Sequence, residues 1–310
     1  MSTIAAVVPL HDKAPFIARA LRSALSQPVD EIIVVDDASS DDGPAQVAAL
    51  SDPRLRLLRR DTPGPGGYAA RNLAIEQARA EWIAFLDADD EWAPGYIAAM
   101  RALIAAHPDV GAAYASRLIV DSPKGDFVQT CADADIGVHD FDGFLDLWLR
   151  LGRSPIWTSA SLFKRNVLIE AGLFPAGRCR RGGDKDMWLR AMRRTKAIAS
   201  LAVGATYFFD TGNQVSRQTS LNKRHCTCDT LAALIAESGG ERRRKLKRIA
   251  NLEMRDYAQK LFGREPLSGQ VFRDFYAAES PALYAALWCM KVTPLPLQRW
   301  VRNSLKRAAA

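Results

Sequence analysis

Three short apolar runs stand out in the first part of the chain: Ile4-Ala5-Ala6-Val7-Val8, Ile32-Ile33-Val34-Val35 and Trp82-Ile83-Ala84-Phe85-Leu86. They are continuous instead of alternating, which predicts strands buried on both faces, as in a parallel sheet covered by helices. Between them the period becomes helical. Phe16, Ile17, Ala20, Leu21, Ala24 and Leu25 share one helical face, with Pro15 in the first turn and Pro28 just beyond the end. A short helix is expected from Pro44 to Leu50, and another through Tyr68, Arg71, Asn72, Leu73, Ile75 and Ala78. Arg54-Leu55-Arg56-Leu57-Leu58 alternates in part and predicts a strand with one wetter face. Strand and helix in alternation predict a doubly wound α/β fold.

The pattern continues with a helix carrying Tyr96, Ile97, Met100, Leu103 and Ile104, stopped at His107-Pro108, and a strand from Gly111 to Val120. Asp121 to Asp140 is polar and turn-rich and yields no element. Phe144, Leu145, Trp148, Leu149 and Leu151 mark an amphipathic helix, Trp157 to Phe163 a strand, and Arg165 to Gly172 a short helix. The glycines and arginines of Gly177-Arg178-Cys179-Arg180-Arg181-Gly182-Gly183 form a cationic loop. The helix after it buries Met187, Trp188, Ala191 and Met192, and its N-cap position falls on Asp184. Beyond Phe209 only helical patterns remain: Thr230 to Glu237, Glu241 to Phe262, Ala282 to Lys291 and Leu297 to Lys306. A boundary near Ser220 therefore separates an α/β domain, 1–220, from a helical C-terminal region, 221–310.

Chemistry enters where the strands stop. The run ending at Leu86 delivers Asp87, Asp89 and Asp90, and the run ending at Val35 delivers Asp36 and Asp37. In an open α/β sheet ligands bind at those strand ends. Carboxylate oxygens gathered there suit a hard divalent cation holding phosphates, whereas without a metal they would repel one another and raise their own pKa values. Thr62-Pro63-Gly64-Pro65-Gly66-Gly67 opens a helix and exposes N–H groups to an anion. Its residue order is neither that of a P-loop nor of a dinucleotide fingerprint, so alone it reads as a connecting loop.

Composition narrows the class. With 310 residues, 48% of them hydrophobic and 25% charged, the chain is an ordinary globular protein. No apolar run approaches the roughly 20 residues of a membrane span, and the N-terminus lacks the succession of a secretory signal. Five cysteines without framework spacing favour a reducing compartment, most simply the cytoplasm. His225-Cys226-Thr227-Cys228 fits no zinc spacing and reads as ordinary helix residues. The net charge of +7 is uneven: residues 223–310 hold 17 Lys and Arg against 8 Asp and Glu. That points to an anionic surface. No nucleic-acid module is present. Trp288, Trp300, Pro294 and Pro296 among Arg302, Lys306 and Arg307 favour a peripheral membrane contact, at the inner face of the cell membrane, over nucleic acid.

Taken in order, Pro9 closing the first strand, Asp36-Asp37-Ala38-Ser39-Ser40-Asp41, Gly67-Tyr68-Ala69-Ala70-Arg71-Asn72, Asp87-Ala88-Asp89-Asp90 and Gly183-Asp184-Lys185-Asp186-Met187-Trp188-Leu189-Arg190 resemble family 2 glycosyltransferases. The resemblance covers about Ile4 to Ser216. It implies a GT-A-type, Rossmann-like, mostly parallel sheet flanked by helices, with a nucleotide-binding half over about 1–110 and an acceptor half over about 111–220. It also implies inverting transfer of a sugar, of hexosyl type, from a nucleotide-diphosphate donor, UDP-linked by expectation, with Mn²⁺ or Mg²⁺. The acceptor would be a saccharide or lipid-linked hydroxyl in bacterial cell-surface polysaccharide or glycolipid synthesis.

By position, Pro9 and His11 would border the nucleobase, and Asp37 with Asp36 would bind uracil or ribose. Arg71 and Asn72 would lie near the diphosphate. Asp87-Ala88-Asp89 matches the family's Asp-x-Asp element, so Asp87 and Ala88 fall in the donor site and Asp89, with Asp87, on the metal. Asp184 matches the general base, with Asp186 as the other candidate; where the family usually carries Glu before this Asp, Gly183 stands. The chemistry itself asks for such a set. A Lewis-acidic cation stabilises the departing nucleoside diphosphate without a proton donor, and one separate carboxylate takes the acceptor proton. Two rival readings are a sugar nucleotidyltransferase, which would need a glycine-rich basic loop after strand one, and a non-catalytic nucleotide-binding protein.

Overall fold

The computed structural model describes residues 2–134, 137–209, 211 and 225–308, with side chains left undescribed at Gln270 and 305–308. Strand β1 (Ile4–Leu10) lies at the centre of the nucleotide half, parallel to β2 (Glu31–Asp37) on one side and to β4 (Trp82–Phe85) on the other. β3 (Leu55–Arg60) adds in parallel outside β2. Alternate residues of β1 serve opposite faces. Ile4, Ala6 and Val8 pack with α1 (Ala14–Leu25), α2 (Gly43–Ala48) and α4 (Tyr96–Ala106). Ala5 and Val7 pack with α3 (Tyr68–Gln77), α5 (Phe141–Leu151) and α7 (Gly183–Met192). Burial on both faces is why these strands read as unbroken apolar runs.

Beyond β4 the sheet is mixed. β8 (Ser161–Lys164) runs antiparallel to β4 and to β6 (Val110–Val120), and α6 (Arg165–Glu170) follows it. β6 pairs in parallel with β9 (Lys196–Phe208), which carries the two-residue β5 (Glu91–Trp92) on its far edge. β9 is absent from the sequence pattern because Leu201 and Ala202 are exposed midway and its register with β6 shifts at Ser116, which breaks any regular period. The polar stretch after Val120 contributes a short edge strand, β7 (Phe127–Gln129). The strand expected at Trp157 begins only at Ser161, after a 3₁₀ turn over Thr158–Ala160.

The expected boundary at Ser220 lies outside the described residues. On its far side α8 (Cys226–Glu237) and α9 (Gly240–Leu261) send Leu231, Leu234, Ile235, Leu246, Ile249 and Ala250 into the same apolar cluster as α5 and α7. A smaller cluster joins the end of α9 to α10 (Gln270–Arg273) and α11 (Pro281–Val292). The chain ends in α12 (Leu295–Ala308).

Two expectations need correction. Cys226 opens α8 but is bonded to Cys179 of the cationic loop, with their Cα atoms 5.8 Å apart. A pair 47 residues apart in sequence leaves no local spacing to read. Asp184 is not the N-cap of its helix. Gly182 takes that place at φ 76°, a left-handed conformation that suits glycine, and Asp184 follows as the second helical residue.

The glycine between them has its own cause. A Cβ on Gly183 would stand 2.5 Å from Cζ of Tyr68, whose hydroxyl accepts a hydrogen bond from the Gly183 N–H at 2.9 Å. The Tyr68 ring therefore fills the space that any side chain at 183 would need. Gly183→Ala is expected to lower unfolding stability by about 1–3 kcal/mol in urea titrations. The penalty should largely vanish in a Tyr68→Ala background, a coupling that a double-mutant cycle reads directly.

Candidate active site

β2 and β4 flank β1, so their carboxylates emerge on either side of Leu10, which pairs with Asp36 in register. Asp37 is 1% exposed. One of its oxygens meets the Arg60 guanidinium of β3, and the other accepts the Gly64 N–H at 3.0 Å. Asp36 accepts from Ser39 N at 2.9 Å and so shapes the turn after β2. Pro9 lies against Gly67, within 3.3 Å of where that residue's Cβ would be. His11 is half exposed, with Nε2 3.8 Å from Asp12. Asp12 itself sits at φ 48°, held there by Ser39 and Ser40; the Ser40 N–H is the main reason its pKa falls.

Asp87, Ala88, Asp89 and Asp90 form a turn closed by Asp90 N–H on the Asp87 carbonyl at 3.0 Å. Arg71 pairs with Asp87 and is itself pinned to the Gly66 carbonyl at 2.9 Å, which fastens the glycine-rich loop to the acidic turn. Lys13 Nζ lies 2.7 Å from Asp89 Oδ2, and Thr211 Oγ1 donates to the same oxygen at 3.0 Å. Ala88 is buried, 3% exposed, so its methyl offers no open surface to a ligand. Asp90 lies beneath the turn, hydrogen-bonded to the Ser159 hydroxyl. Burial, then the charges of Asp87 and Asp89, push its pKa well above the carboxylate range. Burial also raises Asp87, against the pull of Arg71.

Across the cleft α7 presents two acids with different surroundings. Asp186 is fully buried, with one oxygen 2.5 Å from Arg190 Nη2 and the other bonded to Thr230 of α8. Asp184 is only partly buried and has no hydrogen-bonding partner among the described residues. It is close enough to the acidic turn for its charge to help raise the pKa of Asp87. Asn72 turns away from this centre: its amide both donates to and accepts from the backbone of Phe174, at 2.9 and 2.8 Å.

Lys13, Arg60, Ser159 and Thr211 escaped the sequence reading. Each reaches the site from another element, so only tertiary structure discloses it. Among the described residues no three His, Cys, Asp or Glu side chains gather around one metal position. The donor chemistry nonetheless fits a hard cation that takes most of its ligands from phosphate and water: two carboxylates within one turn, oxygen donors only. Asp89 and Asp87 would hold it. Lys13 would then yield its place on Asp89, because the two positive charges compete for one oxygen.

A model of the family described as Glycosyl transferase family 2 matches residues 5–172. Among curated proteins, the succinoglycan biosynthesis protein ExoO of Rhizobium meliloti is 50% identical over 91 residues, covering 28% of this chain and 26% of that protein. The UDP-Glc:alpha-D-GlcNAc-diphosphoundecaprenol beta-1,3-glucosyltransferase WfgD of Escherichia coli is 35% identical over 91 residues, covering 29% and 36%. The match thus spans about a quarter to a third of these two relatives. Among solved structures, S. aureus TarS 1-349 in complex with UDP-GlcNAc superposes with a TM-score of 0.74, covering 99% of this chain and 92% of that one at 15% identity. That likeness establishes a common fold.

The raised pKa of Asp90 has a sign. Between the ordinary carboxylate pKa and the raised value the folded protein binds a proton that the unfolded chain lacks, so stability falls as pH rises through that window. Asp90→Asn should flatten this slope in melting temperatures measured from pH 4 to neutrality, with its gain in stability largest at neutral pH.

Proposed function

The chain belongs to glycosyl transferase family 2, and from that premise we propose an inverting, metal-dependent glycosyltransferase that moves a sugar from a nucleotide-diphosphate donor, UDP-linked, to an acceptor hydroxyl in bacterial surface polysaccharide or glycolipid synthesis. The observation that carries the proposal is the convergence of Asp37, Asp87 and Asp89 at the ends of two parallel strands, facing Asp184 across the cleft. The names of ExoO and WfgD support the pathway class, and WfgD supports a UDP-sugar donor and a lipid-linked acceptor.

In this reading Asp37, held by Arg60 and Gly64, offers its carboxylate edge to the base or ribose, with Pro9 and His11 bordering the same end. Arg71 balances Asp87 before the donor arrives and turns toward the diphosphate afterwards. A bound Mn²⁺ or Mg²⁺ supplies Lewis acidity to the departing diphosphate. Asp184 takes the acceptor proton. Of the two acids on α7 it is the one with an unengaged carboxylate, whereas Asp186 is committed to Arg190 and Thr230.

The membrane contact belongs to the same proposal. No helix among the described residues is long and apolar enough to cross a membrane. Trp288, Val292, Leu297 and Trp300 are 45–67% exposed on α11 and α12, beside Lys291, whose ammonium lies 5.1 Å from the Trp288 ring centroid. Exposed aromatic rings beside a cation suit an anionic lipid interface.

The test combines binding and turnover. UDP-sugars should raise the melting temperature of the wild type in the presence of Mn²⁺, and Asp89→Asn should lose the metal-dependent part of that rise. Asp184→Asn should keep the rise yet lose about 10²–10⁴-fold in transfer rate. An absence of metal-dependent nucleotide release from every sugar donor would favour a non-catalytic binding protein. Flotation with phosphatidylglycerol vesicles should recover the wild type and lose it in Trp288→Ala/Trp300→Ala; recovery of both alike would remove the lipid contact.

A further inference from the structure

A second charged centre lies beside the base helix, outside the acidic strand ends. Arg181 ends the cationic loop one residue before the N-cap of α7, and His225 precedes α8. The two segments are locked together: the Thr227 hydroxyl donates to the Gly182 carbonyl at 2.7 Å, and the Cys179–Cys226 bond crosses between them. Each carries a buried nitrogen without a partner, Nη1 of Arg181 and Nε2 of His225. Orphaned buried donors are uncommon in native proteins and call for an explanation.

The surroundings supply one. His225 packs edge-on against Tyr257 of α9, with ring centroids 5.8 Å apart. Burial, followed by the charges of Arg181, Lys185 and Lys260, lowers its pKa to about 4, so the ring is neutral and can donate one N–H at neutral pH. The acids close by are largely committed: Glu253 holds Lys185 at 2.8 Å, and Asp256 holds Arg255 at 2.9 Å. Lys260 also lines a cavity of about 430 Å³ with Gln259, Arg264, Arg302 and Asp256. Lys260, Arg264 and Arg302 have no ion-pair partner among the described residues. Lys260, Arg264 and Arg302 thus face that cavity with Asp256, already paired with Arg255, as the one carboxylate lining it among the described residues, and Arg181 and His225 adjoin Lys260 from the base loop and the start of α8. Asp184 borders the same loop, and its charge acts on Arg181.

We propose that Arg181, His225 and Lys260, with Arg264 and Arg302 behind them, form a binding site for the phosphate ester of the acceptor, holding its hydroxyl toward Asp184. The acceptor role rests on the glycosyltransferase reading; the anion site itself does not. The Arg181 and His225 nitrogens would gain the hydrogen bonds they lack, and a doubly charged oxyanion would relieve the repulsion among the cations. The site is distinct from the donor's diphosphate position, which lies at Arg71 and the Asp87 turn.

Binding can be tested without turnover. Inorganic phosphate should raise the melting temperature of the wild type above a sodium chloride control of equal ionic strength. Arg181→Gln/Lys260→Gln should weaken phosphate affinity about tenfold or more while keeping the full response to UDP with Mn²⁺. If the double variant proves unstable, Lys260→Gln alone changes only an exposed side chain and should still weaken phosphate. In NMR titrations the His225 ring proton resonance, assigned by its loss in His225→Gln, should shift with phosphate in the wild type. Phosphate binding that is absent from the wild type, or equal in both proteins, overturns the site. A missing UDP response beside an intact phosphate response would instead sink the donor reading and leave the anion site standing. Phosphatidylglycerol vesicles decide the source of the phosphate. Competition between vesicles and free phosphate in the wild type, lost in the double variant, assigns a lipid headgroup; phosphate binding indifferent to vesicles assigns a soluble ester.

Discussion

Charge compensation at one edge of the sheet is the constraint to which the rest of the molecule answers. Two parallel strands beside β1 bring carboxylates together where little water remains, and three of them meet cations from other elements. Asp37 meets Arg60 of β3, Asp87 meets Arg71 of α3, and Asp89 meets Lys13 ahead of α1. A partly buried pair of this kind contributes little net stability, but losing either partner strands a charge. The pairs therefore fix loops to the sheet in one arrangement more than they strengthen the fold. Asp90 differs, since its nearest partner is the hydroxyl of Ser159.

That constraint explains what the sequence disclosed. The apolar runs ending in Asp37 and Asp87 were legible because both strands are buried on both faces, which erases alternation and makes the acids conspicuous. Family order then gave the remaining candidates their positions. The countercharges were not legible, because Lys13 and Asp89 are 76 residues apart and nothing local distinguishes this lysine from any other. β9 hid for a different reason, its exposed midpoint and shifted register. Asn72 carries the family signature, yet its amide braces Phe174; a motif records residue type but not the direction a side chain takes.

The C-terminal helices change meaning when seen against the sheet. Their composition marks a basic helical appendage, and Leu231, Leu234 and Ile249 of it belong to the core that α7 also enters. The helix bearing Asp184 and Asp186 is thus packed between sheet and appendage. Thr230 of α8 and Arg190 of α7 both hold Asp186. Asp186 thus acts as the rivet between these layers.

The bond between Cys179 and Cys226 has a topological consequence. It turns the intervening segment, which holds α7 and β9, into a covalent ring with everything before Cys179 as one tail and α8 to α12 as the other. A single backbone cut inside that ring would leave the two tails joined as one molecule, and closing a loop of this length removes roughly 4 kcal/mol of disorder from the unfolded chain on an entropic count. The helix that carries Asp184 and Asp186 is thus the part of the chain best protected against being severed from its neighbours.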